Sequence, residues 1–494
     1  MGLPKQGALF LAVLLIAAAA RFPLISSAPL YQDDAVYGQI ITELLANPLQ
    51  IIPHYLGSPA AWKPPAGFYT YAAITAAISA TIPRLPVEYA LRAAPALLAA
   101  LSAFTLYFLL RELFDERQAF FAAITFALAN QTLTTANSLL LDSALLFFGL
   151  LALFCYVKSL KSKTPNRWLI VAASFSALAA LTKTYAAFFI PITAFALYYY
   201  YGKRRLQGRV FISSLLAAPA AIIVYAGVYA VMVPDGLRDI LSAYLYDVLG
   251  RVSGSLAQQV AGNSTDLFER MFPWGLFAIA GIALLNLRRK EDRFAVIWAA
   301  ASLIPLASST GYFWYYLPAV PPLSLFAARA FSKLKPAHAY ALIAFLALVS
   351  LTIYASFNEP ENAAREQMSA GLALSGSASV LTLTERGVPA VMHYKFQGEQ
   401  PPNYSGARQM VADPWGLESY TVFGMSQLVF SEPPANGLAS PTPLYVSSLI
   451  ECRRPDAVLM EKEIYLAYSQ APIPGYALTF QSAGGNFYVI KKIQ

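Results

Sequence analysis

Two adjacent carboxylates, Asp33 and Asp34, follow directly on the first apolar segment in Tyr31-Gln32-Asp33-Asp34-Ala35-Val36-Tyr37. A carboxylate at hydrogen-bond distance from a hydroxyl can take its proton. The plainer reading is a solvated helix start, since acids favour the positive end of the helix dipole. A third acid, Asp142, opens an apolar run in Leu139-Leu140-Leu141-Asp142-Ser143. Four cations occupy comparable positions: Arg21 near the end of the first apolar segment, Lys63 in Trp62-Lys63-Pro64-Pro65, Arg92 about a turn inside the next long run, and Lys183 between the runs 167–182 and 184–201. Ionisable groups at membrane depth are expensive, so each is a candidate functional group. Each also has a structural reading: Arg21 snorkelling to headgroups, Arg92 and Lys183 paired with Asp142 or with the Asp33/Asp34 pair, and Lys63 as a headgroup anchor. Taken one by one, those readings leave the mixture unexplained. Carboxylates that accept a proton beside cations that hold a phosphate make a combined chemistry.

The rest of the chain must carry these groups in a bilayer. Its 494 residues are 57% hydrophobic and only 13% charged, with a mean hydropathy of +0.51, the profile of a polytopic α-helical membrane protein with room for one soluble module. The runs long enough, or nearly so, to cross are 7–26, 87–110, 118–135, 139–157, 167–182, 184–201, 210–233, 272–288, 294–310, 312–331 and 338–357. A further run, 66–82, decides the sidedness of everything after it. If 66–82 is interfacial or re-entrant and the N-terminus is cytoplasmic, the basic clusters at 158–167, 203–209, 288–293 and 329–335 all face the cytoplasm, as the positive-inside rule requires. If it crosses, all of them move outside, against a bias of roughly 0.5–1 kcal/mol per basic residue. The expectation is therefore about eleven transmembrane helices in a multi-pass plasma or secretory membrane protein. Asp33, Asp34, Lys63, Asp142, Lys183 and everything after residue 357 then lie outside the cytoplasm. The net charge of +8 reads as this topology signal and implies no nucleic-acid partner. Residues 9–20 could pass for a signal peptide, but an uncleaved first helix is preferred.

This gives a transmembrane domain over 1–357 with two external loops. The first, 27–86, holds interfacial helices. In the second, 234–271, Leu237, Leu241, Tyr244, Leu245 and Val248 recur at helical spacing, as an amphipathic lid or as a helix resting on the bilayer. Residues 358–494 change character and predict an extracytoplasmic mixed α/β domain, with strands at 378–383, 388–395, 420–430, 443–448, 456–460 and 487–491. Tyr198, Tyr199, Tyr200 and Tyr201 read as an interfacial aromatic belt. Sequons at Asn130, Asn263 and Asn403 fall on or near the outer side. Cys155 and Cys452 have neither metal-ligand spacing nor a disulfide framework.

The acidic pair, Trp62-Lys63-Pro64-Pro65-Ala66-Gly67-Phe68-Tyr69, Leu91-Arg92-Ala93-Ala94-Pro95, Leu139-Leu140-Leu141-Asp142-Ser143, Leu181-Thr182-Lys183 and the stretch 312–322 stand in an order that resembles the GT-C membrane glycosyltransferases. The branch they resemble includes dolichyl-phosphate-mannose protein mannosyltransferases and the 4-amino-4-deoxy-L-arabinose transferases of lipid A. The resemblance covers roughly residues 1–330 and implies a GT-C fold. In that family the first acid of an Asp-Glu pair is the catalytic base, which places the role on Asp33. Asp34 stands where the family usually has Glu, one methylene shorter. The resemblance further implies that Lys63, Arg92 and Lys183 lie near a donor phosphate, with Arg21 as a further cation, and that Asp142 shapes the site.

The expected activity is transfer of one sugar from a polyprenyl-phosphate donor to an extracytoplasmic protein, lipid or glycan by inverting single displacement. A polytopic transporter or lipid-carrier flippase is the alternative. It should place ionisable groups at mid-span and on both sides of the membrane, whereas these gather at one face. The scheme requires no cofactor and no divalent metal, although His54 and His393 could ligate one.

Overall fold

The computed structural model describes residues 6–25, 30, 33–55, 57–60, 63–202, 208–241, 256–307, 313–356, 361–373, 380–383, 457–461, 465–466, 468–469, 472, 474–483 and 485–493. The chain divides into two compact units, Met1–Ser26 with Lys63–Asn358, and Ser27–Trp62 with Glu359–Gln494.

The first unit is helical: α1 (Gln6–Ala19), α3 (Ala66–Thr81), α4 (Val87–Arg111), α5 (Glu116–Leu128), α6 (Asn130–Asn137), α7 (Asp142–Lys161), α8 (Pro165–Ala180), α9 (Phe189–Leu197), α10 (Gly208–Met232), α11 (Leu256–Met271), α12 (Trp274–Ala283), α13 (Lys290–Ala307), α14 (Val320–Phe331) and α15 (Pro336–Ser356). Among the described residues, α4, α7, α10 and residues 336–355 of α15 are long and apolar enough to cross a membrane. The apolar run 272–288 yields a helix of only 10 residues, and in 312–331 a 3-10 stretch, Phe313–Ala319, runs directly into the 12-residue α14, so length and composition alone do not establish the expected eleven spans. The run 118–135 differs for a clear reason. Its second half, Asn130-Gln131-Thr132-Leu133-Thr134-Thr135, is polar, and at Ala129 the backbone turns extended (ψ 133°), splitting the run into α5 and α6.

Helix α4 lies at the centre, packed on α1, α3, α5, α6 and α7. Its buried face repeats small residues, Ala90, Ala93, Ala94, Ala96, Ala99, Ala100 and Ala103. In lipid, where tails are as apolar as leucine, small residues let helices approach and gain dispersion contact. The crossing of α12 on α14 is closer still: a Cβ on Gly281 would overlap the backbone carbonyl of Phe326.

The polar side chains of α6 are paid for by long-range hydrogen bonds. Asn130 Nδ2 donates to the Phe272 carbonyl at 3.0 Å, Asn130 Oδ1 accepts from Ser350 at 2.8 Å, and Asn137 Nδ2 donates to the Tyr354 hydroxyl at 2.8 Å. Asn263 of α11 accepts from the Tyr316 hydroxyl at 3.2 Å. Asn130 and Asn263 are each only 6% exposed, so two of the three sequons are packing residues and not glycosylation acceptors; Asn403 lies outside the described residues. Tyr198–Gly202 forms one π-helical turn, where Lys290 and Arg293 sit over the rings of Tyr201 and Tyr200 at 4.5 and 4.9 Å. Residues 236–241 of the loop after α10 are helical, in line with the spacing of Leu237 and Leu241; Tyr244, Leu245 and Val248 lie outside the described residues. Cys155 is a buried free thiol.

The second unit holds α2 (Asp33–Ala46), a two-residue hairpin β1 (His54–Tyr55) and β2 (Ser58–Pro59), α16 (Glu361–Ala373), and a sheet of β3 (Val380–Leu383), β4 (Ala457–Glu461), β5 (Tyr476–Gln481) and β6 (Phe487–Lys492). The sheet order is β3-β4-β6-β5, with β3 parallel to β4 and the other pairs antiparallel. Three strands coincide with the predicted 378–383, 456–460 and 487–491; β5 is additional, and 388–395, 420–430 and 443–448 lie outside the described residues. Alternate strand residues point to one face, so Ala457, Leu459, Phe487 and Val489 share a core with Ala370 of α16. Glu366 of α16 fixes the β5–β6 turn by accepting from Asn486 Nδ2 at 2.8 Å and Ser482 Oγ at 3.3 Å.

Candidate functional site

The structure gathers three of the sequence motifs at the N-terminal end of α7. Helix α8 stops at Ala180, and the amides of Leu181, Thr182 and Lys183 turn back to the carbonyls of Ala177 and Ala179 at 2.8–3.1 Å. The Leu181 carbonyl, left outside the helix, accepts from the Ala66 amide at 2.9 Å. That bond docks the first turn of α3 on the α8–α9 break. A Cβ on Gly67 would lie 2.8 Å from Thr182 Cγ2 and 2.9 Å from Leu141 Cδ2, so the contact leaves room for glycine alone. One turn further, Tyr71 donates its hydroxyl proton to the Leu140 carbonyl at 2.5 Å. Lys63-Pro64-Pro65 leads directly into this docked first turn of α3.

At the centre Lys183 Nζ stands 2.8 Å from each oxygen of Asp142. The two residues are 3% and 1% exposed, and the ammonium also lies 4.1 Å from the centroid of the Tyr315 ring. Asp142 is the first residue of α7, where the helix dipole favours a carboxylate. Removing two charges from water costs several kcal/mol per ion, so the pair persists only with close geometry and added contacts. The bidentate contact and the aromatic face supply both. Of the structural readings for Lys183, pairing with Asp142 is the one the structure contains.

Arg92 is buried at 5% exposure in the second turn of α4. The segment after Arg21 packs a turn to either side of it. Tyr89 donates to the Phe22 carbonyl at 3.1 Å, and Ile25 clusters with Ala93 and Ala96. Arg21 itself has no exposed surface, which overturns snorkelling. Its Nη1 donates to the Ala17 carbonyl at 2.7 Å, capping α1, while Nε and Nη2 have no hydrogen-bond partner among the described residues. Buried guanidinium donors of this kind are costly without an acceptor.

Asp33 and Asp34 form the first turn of α2 in the second unit. Ten residues on, Glu43 is 7% exposed; it accepts from Gln39 Nε2 at 2.8 Å and from the Gly57 amide at 3.1 Å. Gly57 has φ +74°, so this carboxylate holds the left-handed turn of the β1–β2 hairpin that precedes Lys63. Burial, then the charge of Glu43, raises the pKa of Tyr55. His54 is half-buried, with its pKa lowered by burial against an opposing hydrogen bond that its ring donates to the Ile52 backbone. His393 lies outside the described residues, and among the described residues no three His, Cys, Asp or Glu side chains gather as a metal set.

Sequence reasoning assigned no role to Glu43, Tyr71, Tyr315 or Tyr316. An acid inside Ile40-Ile41-Thr42-Glu43-Leu44 was the available signal for the first. The tyrosines carry no such signal, because their partners are remote backbone or side-chain groups.

The family model described as dolichyl-phosphate-mannose-protein mannosyltransferase matches residues 62–232, in agreement with the resemblance carried by the motifs. The fold is of the GT-C type. Its likeness to ArnT from Cupriavidus metallidurans bound to undecaprenyl phosphate has a TM-score of 0.67 at 16% identity, covering 98% of this chain and 97% of that one. The oligosaccharyltransferase AglB from Archaeoglobus fulgidus, in complex with an inhibitory peptide and a dolichol-phosphate, gives 0.53 at 15% identity over 97% of this chain and 74% of that one. The arabinofuranosyltransferase AftD from Mycobacteria gives 0.53 at 13% identity over 99% and 42%. No curated protein sequence matches the chain.

Proposed function

We propose that this protein is an integral-membrane glycosyltransferase that moves one sugar from a polyprenyl-phosphate carrier to an extracytoplasmic acceptor. The observation that carries the reading is the buried Lys183–Asp142 pair, built from the same motifs that bear the family resemblance, within a fold shared with ArnT along nearly the whole chain. The absence of ionisable residues from the middle of α4 and α7 favours an enzyme over a transporter, whose path should be lined at mid-span.

In the proposed reaction the acceptor hydroxyl oxygen attacks the anomeric carbon as the carbon–oxygen bond to the phosphate breaks. The bonding pair leaves with the polyprenyl phosphate. The leaving group departs as an anion and needs no proton; cations preorganised around the developing charge stabilise it. Lys63, Arg92 and Lys183 take that part, and the unsatisfied donors of Arg21 suit it. The hydroxyl proton passes to Asp33 as general base, with Asp34 beside it. Asp142, counted with Asp33 and Asp34 among the catalytic acids, keeps both oxygens on Lys183 and orients that ammonium. One displacement inverts the anomeric centre. The scheme itself uses no divalent metal. Sidedness follows the positive-inside pattern: N-terminus cytoplasmic, with the site and the residues after 357 outside.

The test is transfer of radiolabelled sugar from a panel of polyprenyl-phosphate monosaccharides into membranes carrying the wild type or Asp33→Asn. The expected result is donor-dependent incorporation that falls by about 10²–10⁴-fold in Asp33→Asn, the usual worth of a positioned base. Wild-type rates in Asp33→Asn would remove the base assignment and turn attention to Asp34 or Asp142. No transfer from any donor by the wild type would overturn the enzyme reading.

A further inference from the structure

The far end of the helical unit carries a second polar cavity. Lys158 and Lys161, at the C-terminus of α7, both bond Glu112, just after α4. The 20 residues of α7 separate this end from Asp142 by about 30 Å at 1.5 Å per residue. Here the α4–α5 turn, the start of α13, and the last turn of α14 with the residues after it line a half-open cavity of about 430 Å³. Its charged lining is Asp115, Arg289, Glu291, Asp292, Arg329 and Lys333, and Leu113 and Phe114 supply an apolar wall.

Most of the acid in this lining is already committed. Asp292, 2% exposed, accepts from the Asn286 amide at 2.7 Å and from Arg329 Nη1. Asp115 caps α5 by accepting from the Gln118 amide at 2.9 Å. The neighbouring cations are spent as well, since Lys290 and Arg293 lie on Tyr201 and Tyr200. Arg289 and Lys333 are exposed, and among the described residues their side chains have no ion pair or hydrogen bond; Glu291 is the one uncommitted acid. Arg329 Nε is buried without an acceptor. The first turns of α5 and α13, two positive helix ends, line the same space.

We propose that this cavity binds a phosphate group, held by the side chains of Arg289 and Lys333 beside the guanidinium of Arg329, with Leu113 and Phe114 against whatever chain the phosphate carries. The group is that of an anionic membrane phospholipid or of a soluble phosphate; both present the same oxygens to the same donors. The lining balances three acids with three cations, but Arg289 and Lys333 are left unpaired at helix ends, on the side the positive-inside pattern assigns to the cytoplasm, where cations between membrane helices meet such headgroups. The site is independent of the sugar-transfer reading.

The experiment is native mass spectrometry of the detergent-purified full chain, titrated with phosphatidylglycerol, with phosphatidylcholine or with inorganic phosphate. Wild type is compared with Arg289→Gln/Lys333→Gln and with Glu291→Gln. Arg289 and Lys333 are exposed and Glu291 is partly buried, and thermal unfolding checks that each variant is folded. The expected result is retention of one phosphatidylglycerol, reduced at least fivefold in the double variant and increased in Glu291→Gln. Competition by millimolar inorganic phosphate would support a soluble phosphate source, and indifference to it a lipid source. Equal retention of phosphatidylglycerol by wild type and double variant, or retention of phosphatidylcholine to the same extent, overturns the proposal.

Discussion

Helix α7 carries a lysine–carboxylate contact at each end, and the two contacts differ in almost everything but chemistry. At one end Lys183 and Asp142 meet with side chains 4% and 2% exposed. At the other, Lys158 and Lys161 meet Glu112 at 2.7 and 2.9 Å with lysine side chains 34% and 51% exposed. In the wet pair, water already solvates the charges, so the ion pair adds little beyond fastening α4 to α7. In the dry pair each charge depends on the other, and the surroundings, Tyr315 and the α3 docking among them, must hold both. Catalytic use of charge needs the second situation, because donors fixed in a water-poor site stabilise a developing anion without reorganising.

The largest effect that would test this contrast is removal of one dry partner. Lys183→Met strands a buried carboxylate and should cost about 3–5 kcal/mol, read as a lower unfolding midpoint in detergent. Lys183→Met with Asp142→Leu should recover part of the loss. A single variant no worse than the double would mean the pair is not desolvated. Next, Gly67→Ala should cost about 1–3 kcal/mol by overpacking α3 on Thr182 and Leu141. A neutral effect would show that the docking of the Lys63 segment is loose.

How much of this was legible in the sequence follows the same contrast. The charged positions stood out because a lysine between two apolar runs, or an aspartate opening one, breaks a hydrophobic pattern. The pairing of Lys183 with Asp142 was one of several candidates, since 41 residues separate them and only the α7–α8 hairpin joins them. The break at Ala129 was hidden because the strongly apolar half before it kept the run as a whole apolar, while the polar side chains after it found partners more than 140 residues away. Strand β5 was missed for the opposite reason. It is a largely exposed edge strand with a bulge between Leu478 and Phe480, which blurs the period-2 alternation that marks a strand.

At the wet end the effects are small. Glu112→Gln should change stability by no more than about 1 kcal/mol; a larger loss would make this contact as dependent on burial as the other. Burial raises the pKa of Glu112, but the hydrogen bonds and charges of Lys158 and Lys161 outweigh it and the net shift is downward. A depressed folded-state pKa stabilises the fold above the ordinary glutamate range of about 4.3, and that contribution fades as pH falls through the folded value. Thermal unfolding of wild type and Glu112→Gln should therefore converge on acidification; curves that stay parallel would remove Glu112 from the linkage.

The measurement that bears most directly on the account is sugar transfer from a polyprenyl-phosphate donor by two folded variants, Lys63→Gln at the dry end and Lys158→Gln/Lys161→Gln at the wet end. The account predicts that transfer is lost in the first and stays near the wild-type rate in the second. Equal rates in both, or loss only in the second, would contradict the assignment of the chemistry to the Asp142 end.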